Sequence, residues 1–260
     1  MTAPYVPEVE GGTALVVGGT SGVGLAAAHL LADRGLRAIV LAGRDAERGA
    51  TAAQQLADRV EVHFVQADAG DADGATVMFA HAVEVLGGID FAITSTVPSR
   101  IELDLIHRTP VHSIGATITG FALPPLHVTR LALEHMGARG GGAIVNVASD
   151  AAKVPTPGES IIGAAMAGIV MFSRVAALEG RRNGVRVNAV TPSLIADTPT
   201  TDRVLADGFS AKLFASAARA AALGVASARD VAEAAVFLCE ARSGRTTGQV
   251  ISVNGAISIA

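Results

Sequence analysis

The sequence predicts an α/β fold: one domain, doubly wound about a parallel sheet of about seven strands. Three observations predict it. Short apolar runs alternate with helical stretches along the whole chain. A glycine-rich turn joins the first apolar run to the first helix. The 260 residues contain no composition break, long linker or internal repeat, so they suit one large domain.

The elements follow in order. Residues 1–12, "MTAPYVPEVEGG", read as a short tail, because no basic segment leads into an apolar one as in a secretory signal. The domain then runs over 13–260. "TALVVG" (13–18) is a short apolar run closed by glycine, hence a strand, and "GLAAAHLLADRG" (24–35) has helical spacing and stops at Gly35. A strand at 38–43 and a helix at 45–59 repeat the unit, followed by a strand at 60–68 and a helix through about Leu86. "IDFAITS" (89–95), "AIVNVAS" (143–149), "VRVNAVTP" (185–192) and "GQVISVNG" (248–255) are the remaining strands. Between the first two of these, Pro124 and Pro125 predict an interrupted helix.

Composition removes several classes of function. The net charge is −4 with no basic cluster, which argues against a nucleic-acid partner. Half the residues are apolar, yet no run approaches the ~18 needed to cross a bilayer. Cys239 is the only cysteine, so no internal disulfide forms, as expected of a reducing cytoplasm. It lies in the apolar run "AAVFLC" and reads as core. No cluster of Cys, His and carboxylates has metal spacing.

"VVGGTSGVGLAAAHLL" runs strand, tight turn, helix. Gly18, Gly22 and Gly24 supply the sharp turn, the close backbone approach and the helix N-terminus that a dinucleotide pyrophosphate needs. Their spacing resembles that of the short-chain dehydrogenase/reductase family. So do "GGID" (87–90), "GGGAIVNVAS" (140–149), "NGVRVNAVTPS" (183–193) and "TGQVISVNG" (247–255), in that order. Val17 stands where the family has a threonine. The resemblance implies a Rossmann-like fold, a nicotinamide cofactor and a homodimer or homotetramer. Met166, Ile169, Val170 and Met171 would supply apolar surface for the helix packing between copies.

At the tip of the second strand an NAD site places a carboxylate for the ribose hydroxyls. Here Gly43 stands there and Arg44 follows, a guanidinium able to hold a 2′-phosphate, with Ser21 as a further donor. This points to NADP(H). The alternative for Arg44 is a solvated pair with Asp45 or Glu47. Asp68 resembles the family's adenine contact, or else caps the following turn. The resemblance also places Thr20, Val23, Ala69, Ser95, Pro192, Ser193 and Ile195 along the cofactor, and a substrate lid at about 193–225. Leu205, Phe209, Leu213 and Phe214 in that lid suit an apolar ligand or simple packing.

The family's acid/base centre is a serine, then a tyrosine and a lysine four residues apart on the next helix, with an asparagine on an earlier helix. Ser149 matches the serine, as a carbonyl donor or as a strand-end cap. The tyrosine position is Ile162 and the lysine position Met166. Asn188 in "VRVNAV" fixes the same register from the other side. The only tyrosine is Tyr5 and the only lysines are Lys153 and Lys212. The region of the asparagine, 113–130, contains none. Ile and Met neither donate a proton nor hold a charge, and a placed general acid is worth ~10²–10⁴-fold. Candidate substitutes are Asp150, Lys153 and Glu159 in the loop after Ser149, with Lys153 expected in solvent. His107, His112, His127 and His135 are others, His127 the best placed. Two readings follow. One is an atypical NADP(H)-dependent oxidoreductase acting on the carbonyl or alcohol of a small, rather apolar substrate. The other is a catalytically inactive cofactor-binding protein, a partner subunit or NADP(H) sensor.

Overall fold

A computed structural model describes residues 5–101, 103–205 and 208–259. Seven parallel strands form one sheet: β1 (Thr13–Val17), β2 (Ala38–Gly43), β3 (Glu61–Gln66), β4 (Phe91–Thr94), β5 (Gly142–Val147), β6 (Val185–Pro192) and, at the edge, β9 (Val250–Val253). Their order is β3-β2-β1-β4-β5-β6-β9, so the chain reverses its direction of growth between β1 and β4. Strands buried on both faces favour apolar side chains on both, which is why β1 and β2 read as near-continuous apolar runs.

Helices α1 (Gly22–Asp33) and α8 (Ala228–Cys239) pack against each other on one face. On the other face lie α3 (Ala72–Leu86), α4 (Val111–Arg139) and α5 (Ser160–Gly180). Helix α2 (Ala46–Leu56) flanks β2 and β3. Local chemistry sets the helix ends. Asp45 accepts from the Arg48 N–H at 3.0 Å to cap α2, and Asp71 accepts from the Gly74 N–H at 2.7 Å to cap α3. Gly87 and Gly140, both left-handed, end α3 and α4.

Helix α4 corrects one expectation. Pro124 and Pro125 do not interrupt it: its 29 residues run on through both. The rings deprive the Gly120 and Phe121 carbonyls of their helical partners. Both prolines are buried, and packing of the helix against α5 and the sheet carries the turn through.

Helix α5 corrects two more. Residues Ser160–Asn183 are long and apolar enough, by length and composition, to cross a membrane, with mean hydropathy 2.0 in the best window. Here the helix is a core element, with Ile162, Ala165, Ile169, Ala176 and Ala177 buried against the fold. Met166, Ile169 and Val170 are also spent on this chain's own core. Of the four residues expected at an interface between copies, only Met171 is exposed. Val175 and Leu178 continue its stripe on the outer face.

Two polar groups tie the layers together. Asn146 on β5 is fully buried and donates to the Thr129 hydroxyl of α4 at 3.1 Å and the Ser173 hydroxyl of α5 at 3.0 Å. Arg186 on β6 donates to the carbonyls of Leu238 at 2.6 Å and Cys239 at 2.8 Å, closing the end of α8. Cys239 itself is fully buried, and burial pushes its thiol up to about 12. The described part of the tail is anchored, with Val9 in the core and the Gly11 N–H bonded to the Gly35 carbonyl at 2.9 Å.

After β6 the chain forms β7 (Ile195–Ala196), α6 (Pro199–Leu205) and α7 (Gly208–Ala220) before β8 (Ala226–Ser227). Strands β7 and β8 pair into a two-stranded sheet that the sequence did not predict.

Candidate functional site

The reversal between β1 and β4 opens a crevice at the carboxyl ends of the strands, where α/β sheets bind ligands. Gly18 follows β1 and Ser95 follows β4, with the Ser95 N–H bonded to the Val17 carbonyl at 2.8 Å. Gly18 has φ +80°, and a Cβ on it would stand 2.1 Å from the Ser95 carbonyl oxygen. Only glycine fits. A cleft of about 1140 Å³ lies above this turn.

Thr20, Ser21, Gly22 and Val23 border the cleft with Gly18. Gly22 opens α1 at φ +52° and has free space around it. Ser21 takes the N-cap position without a side-chain cap bond, so the first N–H groups of α1 stay available at its dipole's positive end. Gly24 does not border the cleft. Its Cβ would strike the Gly18 carbonyl oxygen at 2.2 Å, so its absence lets α1 pack on the turn.

At the tip of β2, Gly43 and Arg44 border the cleft. Arg44 is exposed and donates to the Val97 carbonyl at 2.9 Å, on the opposite rim. Asp45 is occupied as the cap of α2. Arg48, four residues on, adds a second guanidinium that the sequence reading passed over. A repeated arginine one turn into α2 was its available signal. Asp68 and Ala69 line the same end, and Asp68 accepts from the Gly70 N–H at 2.9 Å. Its capping role and its place at the cleft coexist. This end fits a dinucleotide: Gly18, where any Cβ would collide, free helix N–H groups and two cations.

The other end is apolar. Ile162 and Met166 both line the cleft, each only 6% exposed, in a cluster with Phe121, Ala148, Ala165 and Ile169. Ser149 stands above them. Its hydroxyl oxygen accepts from the Ala151 N–H at 3.2 Å, capping a short 3-10 turn over Asp150–Ala152, which leaves its proton for another acceptor. Pro192, Ser193 and Ile195 close this end from the β6 side, with Thr198 and Thr201 beyond. Phe214 of α7 borders the cleft, whereas the side chains of Leu205 and Phe209 lie outside the described ones.

Of the candidate substitutes, only Glu159 lines the cleft. Lys153 is not solvated as expected. Its side chain is 17% exposed, paired with Asp150 at 3.5 Å and bonded to the Ser252 hydroxyl, because the 3-10 turn folds it back onto β9. Asp150 is buried and accepts from the Ser258 hydroxyl at 2.6 Å. His127 lies beside the cleft rather than in it, with Nδ1 2.9 Å from the Ala69 carbonyl oxygen. His135 accepts from the Ile89 N–H at 3.0 Å, and burial and then Arg139 lower its pKa, so it is a neutral structural group. His107 and His112 are exposed. Among the described residues no group of His, Cys, Asp and Glu could hold a metal ion.

Comparison with known proteins agrees with this geometry. A family model described as enoyl-(acyl carrier protein) reductase matches residues 17–258. The chain is 35% identical over 248 residues to a cis-4-hydroxycyclohexanecarboxylate dehydrogenase of Sinomonas cyclohexanicum, covering 93% of this chain and 94% of that protein. It is 34% identical to a D-beta-hydroxybutyrate dehydrogenase of Cupriavidus necator over 72% of each chain. A solved short chain dehydrogenase/reductase family protein superposes with TM-score 0.80 at 34% identity, covering 96% of this chain and 98% of that one.

Proposed function

The chain belongs to the short-chain dehydrogenase/reductase family, whose members are nicotinamide-binding oxidoreductases, and from that premise we propose an NADP(H)-dependent oxidoreductase with a non-standard acid/base centre. Its substrate is the carbonyl or alcohol of a small, rather apolar molecule. The observation that carries the reading is the asymmetry of the cleft. One end is built for a dinucleotide, and the other is an apolar chamber with Ser149 at its wall.

NADPH preference rests on Arg44 and Arg48 at the tip of β2, with glycine in place of a carboxylate. Gly18, Gly22 and the start of α1 hold the pyrophosphate through backbone N–H groups. Asp68 and Ala69 border the adenine, and Ser95, Pro192, Ser193 and Ile195 the nicotinamide half. When bound, the cofactor supplies a hydride to a carbonyl carbon. Ser149 donates a hydrogen bond to the carbonyl oxygen, and Ile162 and Met166 shed water from the substrate and fix its apolar body. Residues 193–225, with α6 and α7, form the lid. A relative acting on a hydroxycyclohexane carboxylate supports an alicyclic substrate of this size.

The test is NADPH oxidation against cyclic ketones and 4-oxocyclohexanecarboxylate, with NADH in parallel. Turnover with NADPH favoured, and the preference lost in Arg44→Ala, is the expected result. Equal affinity for both cofactors overturns the NADP(H) assignment. The apolar Ile162 and Met166 favour a second reading, a cofactor-holding protein without turnover. Tight NADPH binding with no consumption on any carbonyl would establish that reading instead. We also propose a homodimer or homotetramer, supported by the outward stripe Met171, Val175 and Leu178.

A further inference from the structure

A second, smaller chamber of about 150 Å³ adjoins the cleft. Four residues line both: Ser149, Glu159, Ser193 and Phe214. Glu159 therefore stands at the throat between the two spaces, beside the serine. It immediately precedes α5, three residues before Ile162, and both residues line the cleft. It takes the N-cap position of α5 yet makes no side-chain cap bond to that helix. The residue lines both cavities, and its carboxyl accepts from the Thr156 hydroxyl.

We propose that the Glu159 carboxyl is the proton donor of this site, reaching the substrate oxygen from one helical turn before the position of the family's tyrosine. The inference rests on the oxidoreductase reading above. In the reduction direction the Glu159 O–H bond breaks and an O–H bond forms on the substrate oxygen. The carbonyl carbon is reduced by the hydride of a reduced nicotinamide dinucleotide, which is oxidised. The Glu159 carboxylate then takes a proton from water by way of the smaller chamber. In the oxidation direction the carboxylate accepts the hydroxyl proton.

The surroundings favour the protonated form of this carboxyl. Burial raises its pKa, and the Thr156 hydroxyl, which favours the carboxylate, opposes the rise. No neighbouring charge contributes. From the turn, Asp150 borders the same chamber but is engaged with Lys153, Asn254 and Ser258. Among the described residues, helix α7 offers Leu213, Phe214 and Ala217 there, and Ser193, just past β6, adds a hydroxyl.

Glu159→Gln keeps the shape and removes the acid. With NADPH and 4-oxocyclohexanecarboxylate or cyclic ketones, we expect reduction to fall ~10²–10⁴-fold. Fluorescence titration should show unchanged NADPH affinity. The wild-type reduction rate should fall as pH rises through the Glu159 pKa, oxidation should rise, and both limbs should vanish in Glu159→Gln. Thr156→Val should move the limbs to higher pH, which a purely structural role for Glu159 would not do. A readout independent of turnover is melting against pH. The folded state holds a proton that the unfolded chain has lost, so wild-type stability falls as pH rises from the usual carboxylate pKa to the raised one. Glu159→Gln should lack that slope. Identical melting profiles, or an active Glu159→Gln with the wild-type pH profile, overturn Glu159 as donor and leave the oxidoreductase reading standing. A wild type that binds NADPH but turns over no carbonyl overturns both.

Discussion

At the scale of residues, backbone builds one end of the cleft and apolar side chains line the other. Gly18 cannot become alanine without striking Ser95, whereas Ile162 and Met166 occupy the positions where the family resemblance leads us to expect a tyrosine and a lysine. Installing those groups tests how much of the pocket persists. Ile162→Tyr with Met166→Lys should raise carbonyl reduction cooperatively, because Tyr alone keeps a pKa near ~10 and Lys alone places no proton on the substrate. NADPH consumption by wild type, both singles and the double measures it. A double variant that folds and binds NADPH but gains nothing would show a pocket reshaped around its apolar wall. A robust wild-type activity that collapses in the double would show that a different acid already works there. The glycines were legible because their spacing encodes a backbone path. Glu159 was visible in the sequence only as one of several loop carboxylates. Its burial depends on α7 and the 3-10 turn, contacts distant in sequence.

At the scale of elements, periodicity revealed the sheet and hid one helix. β1 and β2 declared themselves because strands covered on both faces have no polar alternation to lose. Helix α4 did not, since two adjacent prolines predict a break unless burial outweighs the lost hydrogen bonds. The pair β7 and β8 is two residues long in each strand, below what any pattern reveals. Lys153 read as solvated because nothing local announces Ser252, 99 residues away. The join among β5, α4 and α5 is a polar one. Asn146→Ala should leave the buried Thr129 hydroxyl unpaired and cost about 1–3 kcal/mol. Chemical denaturation would measure this, and an unchanged midpoint would show that Thr129 and Ser173 re-pair without it. Since Asn146 lies three residues before Ser149, the same variant should also weaken positioning at the cleft.

At the scale of the whole molecule, the proposed association rests on the outer side of α5. Met171, Val175 and Leu178 are 57%, 44% and 59% exposed and recur at helical spacing. Leu178→Lys with Met171→Lys should convert an assembled wild type to monomer, read by light scattering at micromolar concentration, where mass action still favours assembly. A wild type that is monomeric there rejects the proposal. A double variant that stays assembled moves the interface elsewhere. Three of the four residues that the sequence offered for such a surface lie in the core, because hydropathy does not say which apolar face the sheet has already claimed.

Cys239 makes the molecule its own reporter. It is the only sulfhydryl, fully enclosed and with its thiol pushed up to about 12, so a thiol-directed dye meets it only when α8 comes away from the sheet. The labelling rate then counts opening events. A ligand held only by the closed form slows that rate by a factor of one plus the ratio of its free concentration to its Kd, ~100-fold at one hundred times its Kd when opening is global. Comparing NADPH with NADH in this way ranks the two cofactors with no reaction taking place. We expect NADPH to protect at the lower concentration, and equal protection by both would contradict the role given to Arg44. The measurement works equally well on a catalyst and on a silent receptor, so it reads what the cleft holds before anyone knows what the protein turns over.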